Sequence, residues 1–216
     1  MMRNRLSTNI ITRHFQEYSS IYTFIMVLFL MGVIFGAIIV NSLSSHQKED
    51  LFYYLNQFFG QIGEGKMVPP EELLKLSFIH NVKFAGLIWV LGISIIGFPL
   101  IFILLFIKGI VVGFSVGFLV NQMGWNGLLL SFVSLLPQNL LIIPVFIFIS
   151  ACSIGLSMKL IRKIFIRQSL PFQLVPVFAS YFMVYIGAMA IITVAASIEA
   201  YIAPALMKSI LSTIAK

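Results

Sequence analysis

The stretch Ile21-Tyr-Thr-Phe-Ile-Met-Val-Leu-Phe-Leu-Met-Gly-Val-Ile-Phe-Gly-Ala-Ile-Ile-Val40 runs for twenty residues without a charge. A helix of that length covers about 30 Å, the thickness of the hydrocarbon core of a bilayer. A signal-peptide apolar region is shorter, about 7–15 residues, and ends at a small-residue cleavage site. No such site follows before the next polar loop, so the run reads as a retained spanning helix. Phe84–Ile107 and Phe172–Ile198 meet the same length test. Composition points the same way. The 216 residues are 60% hydrophobic and 10% charged, against roughly 25% charged in an average soluble domain. The fold class expected is all-α: a polytopic transmembrane helical bundle of about five spans, with short extracytoplasmic amphipathic helices.

Between the second and third plain runs lies a complicated stretch, Gly109 to Met158. An apolar piece, Gly109–Val120, is followed by the polar interruption Asn121-Gln122-Met123-Gly124-Trp125-Asn126-Gly127. Leu128–Met158 follows, interrupted at Pro137-Gln138-Asn139 and at Pro144. Lys and Arg resist translocation, so their distribution sets orientation. They collect at Arg3, Arg5 and Arg13 and again at Lys159, Arg162, Lys163 and Arg167. Ser44–Lys83 has four Lys against five acids and no positive excess. With the N-terminal flank cytoplasmic, Lys108 returns to the inside and 109–158 must cross an even number of times. The expected order is a cytoplasmic segment 1–20, a span 21–43, an extracytoplasmic loop 44–83 and spans 84–107 and 109–121. A span 128–158 broken near Pro137, a cytoplasmic loop 159–171, a span 172–198 and an extracytoplasmic tail 199–216 complete it. The third span ends either near Val120, the favoured reading, or near Leu136 with 121–127 unwound.

The loop after the first span has its own helical signal. Leu51, Leu55, Phe58 and Ile62 recur at helical spacing, with Tyr54 and Phe59 beside them. Glu49 and Asp50 are expected in the first turn, where acids complement the helix dipole. Gly60, Gly63 and Gly65 break the pattern, and Pro69-Pro70-Glu71-Glu72 restarts it as a second helix running into the next span.

Chemistry-bearing patterns are sparse. No His-Glu-x-x-His occurs, and His14, His46 and His80 lie apart in flanks or the loop, so no metal is expected. Gly109–Gly113 has no following Lys-Ser/Thr, no Ser sits beside a His and acid pair, and Cys152 is the single cysteine. No catalytic residue and no cofactor is expected. The net charge of +7 is scattered at the ends of apolar runs, which argues for orientation signals rather than nucleic-acid binding.

Glycine spacing says more. Gly109, Gly113 and Gly117 stack on one helix face, as do Gly32 and Gly36. In lipid, helix association depends on close packing, which such faces allow. They serve packing within the bundle or contact with a second copy or a partner's span, so a homo-oligomer is one expectation. Pro137, Gln138 and Asn139 combine a helix breaker with two amides. They mark a bend, or with Asn121 and Gln122 they line a polar pathway of a transporter or channel component. Lys108 and Glu199 are the two charges near a span, and each is expected to reach an interface.

The run Leu28-Phe-Leu-Met-Gly-Val-Ile-Phe-Gly-Ala-Ile-Ile-Val-Asn-Ser42, with Gln47-Lys-Glu-Asp-Leu51 and Gln57-Phe-Phe-Gly60, resembles the stage II sporulation protein M family of endospore-forming bacteria. So do Ile107–Gly127 and Leu135-Leu-Pro-Gln-Asn-Leu-Leu-Ile-Ile-Pro144, and the likeness covers nearly the whole chain. Ile198-Glu-Ala-Tyr-Ile-Ala-Pro204 is similar to that family's Glu-Ala segment before a proline. Related membrane proteins often carry Pro-His-Gly and an acid where this chain has Pro137-Gln-Asn139, so chemistry resting on those groups does not carry over. The resemblance implies a scaffold acting in engulfment of the forespore, at the sporulation septum and the engulfing mother-cell membrane. It implies two membrane-anchored peptidoglycan-degrading partners, the stage II sporulation proteins D and P. Leu51, Tyr54, Leu55, Phe58 and Phe59 are the expected contact residues, with membrane lipid as the alternative neighbour of that face.

Overall fold

Segments this apolar have no water to bond their backbone, so each satisfies its own N–H and C=O groups by coiling into helix. A computed structural model describes residues 18–63, 68–94, 96–165 and 174–214, and among them there is no strand. The elements are α1 (Ser19–Ser42), α2 (Ser45–Gly63), α3 (Pro70–Ile93), α4 (Gly97–Ser134), α5 (Leu136–Phe165) and α6 (Leu174–Ser197). A π-helical turn (Ile198–Ile202) then joins α6 to α7 (Ala203–Ile214). Five stretches are long and apolar enough to cross a bilayer: α1, α3, α4, Leu136–Arg162 of α5, and the joined Pro176–Ile210. The protein is a multi-pass membrane helical bundle.

α1 and α4 run side by side in the same direction, α3 and α5 run opposite to them, and α6 returns along α3. One end of the bundle carries Tyr18, Ser94, Lys159 and Arg162 and is called the basic end. The other carries α2. At the centre lies α5, whose Ile142, Phe146, Ile149 and Ile154 are buried against Ile25, Ile88, Ile101, Leu105 and Ile192. Leu30, Met31, Ile34, Val90 and Met183 are exposed on the outside of the bundle, as expected where the solvent is hydrocarbon.

Small residues set the spacing. A Cβ on Gly32 would fall 2.5 Å from the Phe106 carbonyl oxygen, and one on Gly113 would collide with the Val33 carbonyl. Those on Gly36 and Gly109 would strike the Ile110 and Phe29 carbonyls, and one on Gly117 would sit 3.0 Å from Ala37 Cα. All five glycines therefore lie in the single seam between α1 and α4.

Helix boundaries differ from the sequence reading in three places. The expected span 84–107 is two helices, because the chain reverses between Ile93 and Gly97. Ser94 is extended, its N–H bonds the Leu91 carbonyl at 2.9 Å, and Gly97 N–H bonds Ser94 O at 3.2 Å. A Cβ at Gly97 would strike the Leu91 carbonyl, so the turn needs glycine there. Pro99 falls in the first turn of α4, where its missing N–H has no helical partner to lose. The second span is thus α3, which includes Pro70–Lys83 of the expected loop, and Lys108 sits inside α4 rather than between two spans.

The second difference is the expected span 109–121. It belongs to α4, which continues to Ser134 through a kink at Gly124 (φ 56°, ψ −127°), a backbone conformation open to glycine. Third, Pro137 does not break a span 128–158. It occupies the second residue of α5, a position that suits proline, while Leu128–Ser134 closes α4. Pro144 does lie inside α5.

Candidate functional site

Two features of the α2 end combine into a site: a cavity beneath α2 and a group of polar side chains below it. α2 begins with a reciprocal cap. Ser44 N–H donates to Gln47 Oε1 at 3.0 Å, and Gln47 N–H donates to Ser44 Oγ at 3.3 Å. Because the helix starts at Ser45, Glu49 and Asp50 fall beyond its first turn, and Asp50 instead pairs with His46 one turn earlier at 2.9 Å.

The aromatic face of α2 divides. Leu55 and Phe58 line a cavity of about 440 Å³ together with Phe114, Phe118, Met207 and Glu199. Tyr54 is 67% exposed, Phe58 is 50% exposed even beside the cavity, and Leu51 is exposed as well. Tyr53, which the helical spacing did not select, is 66% exposed and meets Tyr54 edge-on at 5.8 Å. The side chain of Phe59 lies outside the described residues.

Among the described residues Glu199 brings the one carboxylate to that largely apolar cavity, whose other polar lining is Gln61, Ser115 and Ser134. It stands on the π turn, where Ala203 N–H reaches back five residues to the Ile198 carbonyl. Pro204 explains the wide turn: it has no N–H to give, and its ring would crowd the carbonyl four residues earlier. The turn aims Glu199 across to α3, where Ser77 Oγ donates to Glu199 Oε2. Asn81, one turn along α3 and 2% exposed, donates from Nδ2 to the Ser77 carbonyl at 3.0 Å. Its Oδ1 is buried with no partner among the described residues.

Lys108 lies deeper. It is eleven residues into α4, about 16 Å from the turn at Gly97 and so near the middle of the hydrocarbon. Its ammonium stands 5.4 Å from the ring centres of both Phe84 and Phe146, within cation–π range. No ion pair joins it to Glu199 among the described residues, although the two are near enough to interact electrostatically. An ionisable group at that depth costs about 3 kcal/mol on insertion scales, so it marks a place where function or specific packing repays the cost. Chemically, the arrangement suits a group with an apolar body and a hydrogen-bond donor or cation that can reach Glu199.

Sequence reasoning missed this polar centre. Ser77 and Asn81 sat in an assumed loop, and Lys108 was assigned to a connection, because the break at Ser94–Gly97 was hidden inside an apolar run. The one legible signal was Gly97-Phe-Pro99, a breaker cluster.

The residues expected to line a polar pathway do not converge. Asn121 Nδ2 donates to Asn41 Oδ1 at 3.3 Å on the surface, tying α4 to the end of α1. Asn139 Nδ2 donates to the Leu135 carbonyl at 2.8 Å and steadies the start of α5. Neither they nor Gln122 or Gln138 line the cavity under α2.

A family model described as stage II sporulation protein M matches residues 25–204 of the chain. The search of curated proteins and the search of solved structures each gave no match.

Proposed function

Because this chain belongs to the stage II sporulation protein M family, with a role in stage II of sporulation, we propose that it is the membrane scaffold of engulfment. In this reading it holds peptidoglycan-degrading partners, the stage II sporulation proteins D and P, at the septum and then at the engulfing membrane. The hydrolysis is theirs, and this chain is not an enzyme. The observation that carries the reading is the face of α2: aromatic, exposed at Tyr53, Tyr54 and Phe58, and set over a cavity open to an incoming side chain. Exposed aromatic residues over a pocket are the usual anchors of a protein interface. The orientation that places α2 toward the cell wall rests on the distribution of Lys and Arg. The glycine seam, by contrast, is filled from within the chain, so a second copy would have to bind elsewhere.

The test is co-purification of the two partners with the Tyr54→Asp, Phe58→Asp double variant. Recovery at least tenfold below wild type, with equal protein level and unchanged topology, is the expected result. Equal recovery would remove α2 as the docking element. A polar pathway through 121–139 gains no support from the placement of its four amides.

A further inference from the structure

At the opposite end of the bundle an apolar groove of about 520 Å³ opens between α1, α4 and α5. Its walls include Ile21 and Phe24 from α1, Phe98 and Phe102 from α4, and Met158 from α5. Arg162 closes it at the basic end, one turn beyond Met158. The lining runs along α5 from Ile154 to Arg162, about 12 Å at helical rise, so it descends from the membrane surface into the hydrocarbon.

Arg162 makes the lining cationic at this end, and Lys159 stands three residues before it on α5, outside the lining itself. Arg162 and Lys159 are both exposed, and the Lys159 ammonium stands 5.5 Å over the Tyr18 ring. Tyr18 in turn packs on Gly155, where a Cβ would come within 2.9 Å of its ring, so the aromatic that steadies Lys159 is itself fixed. No acid occurs between Leu73 and Ile198, so none of the residues of α4 and α5 answers these charges. Among neighbouring positions in sequence only Glu17 is acidic, against Arg13, Lys159, Arg162, Lys163 and Arg167.

We propose that this groove is a binding site for an anionic phospholipid, with one acyl chain lying along Phe24, Phe98 and Phe102 and the phosphate meeting Arg162 and Lys159. The pairing of an apolar trough with a basic rim at headgroup height is what distinguishes the site from the ordinary lipid-facing surface, which has the first without the second. The inference does not depend on the scaffold reading, because the groove lies at the other end of the bundle from α2.

The test uses the full chain purified in detergent and probed with phosphatidylglycerol and with phosphatidylcholine of the same acyl chains, retained lipid being counted by native mass spectrometry. Wild type is expected to retain phosphatidylglycerol at least tenfold better. Lys159→Gln with Arg162→Gln should reduce its retention to that of phosphatidylcholine. Met158→Trp, a change at a partly exposed wall residue, should lower retention of both. Equal retention of the two lipids by wild type, or retention unmoved by either variant, overturns the proposal. A photo-crosslinking residue at Phe24 gives an independent readout in native membranes. A phospholipid adduct is expected, whereas a crosslink to residues 1–17, a second copy or another protein identifies a different occupant and overturns it.

Discussion

Ser77 on α3 and Glu199 on the π turn are 122 positions apart in the chain and are joined by a hydrogen bond from the serine hydroxyl to the carboxylate. It ties the start of the second span to the end of the last. Glu199 also lines the cavity under α2, and Asn81 stands one turn along α3 from Ser77.

Removing the serine hydroxyl leaves a half-buried carboxyl group short of a partner, which costs about 1–3 kcal/mol. Ser77→Ala should therefore lower the unfolding midpoint in detergent. Glu199→Leu alone should cost a similar amount, and the double variant less than the sum of the two. Strict additivity in this double-mutant cycle would show that the two residues do not act together.

The reversal at Ser94–Gly97 places Lys108 at mid-membrane and Ile96, 73% exposed, at the basic end. In a Cys152→Ser background, Ile96→Cys should react with a membrane-impermeant maleimide from the same side as a cysteine placed at Lys159. Lys108→Cys should stay unlabelled from either side in intact membranes. Ready labelling at 108 would restore a connection there and undo the helix boundaries described above.

The α1–α4 seam admits no side chain at Gly113, whereas nothing lies within 4 Å of a Cβ at Gly187 on α6. Gly113→Ala should separate the two helices and lower the yield of folded protein sharply. Gly187→Ala should keep it, with a gain of up to about 1 kcal/mol from helix propensity. Comparable behaviour of the two variants in size-exclusion and thermal assays would show that the seam is not tight.

Tyr181 on α6 reaches α3 and α5 at once. Its hydroxyl donates to the Trp89 carbonyl at 2.7 Å and lies 2.7 Å from Ser153 Oγ, while Trp89 Nε1 donates to the Tyr181 carbonyl at 3.3 Å. The two rings stack at 5.4 Å. Tyr181→Phe keeps the stack and the Trp89 bond to the main-chain carbonyl and removes only the two hydroxyl bonds, so a loss of about 1–3 kcal/mol is expected in denaturant unfolding. A Phe variant as stable as wild type would assign the stabilisation to the ring alone.

The legible part of this molecule was what depends on one segment at a time. Ile21–Val40 is long, uncharged and flanked by polar residues, and it forms α1 almost as read; Pro70 opens a helix that does run into a span. What escaped depends on three dimensions. The turn at Ser94–Gly97 exists because Gly97 lets the chain fold back on Leu91, and hydropathy does not register a reversal made of apolar residues. Pro137 was read as a break because proline in a helix interior is one, yet the chain begins a helix there, and only the positions of its neighbours distinguish the two cases. The polar centre needed α3, α4 and the π turn brought together, and no local spacing joins Ser77, Lys108 and Glu199. On α2 the apolar spacing found Leu55 and Phe58, which border the cavity, and passed over Tyr53, which is exposed beside Tyr54.

A wide turn holds one residue more than the ordinary coil beneath it, and everything after it is rotated by about 100°. Deleting a single amino acid between Ile198 and Ile202 would therefore turn every later position to face a new direction. Ala203 and Met207, now buried in the small cluster beside Val133, would swing out toward lipid, and Glu199 would lose its aim at α3. The end of the last span is thus intolerant of a change in length, although it would absorb many changes in side chain.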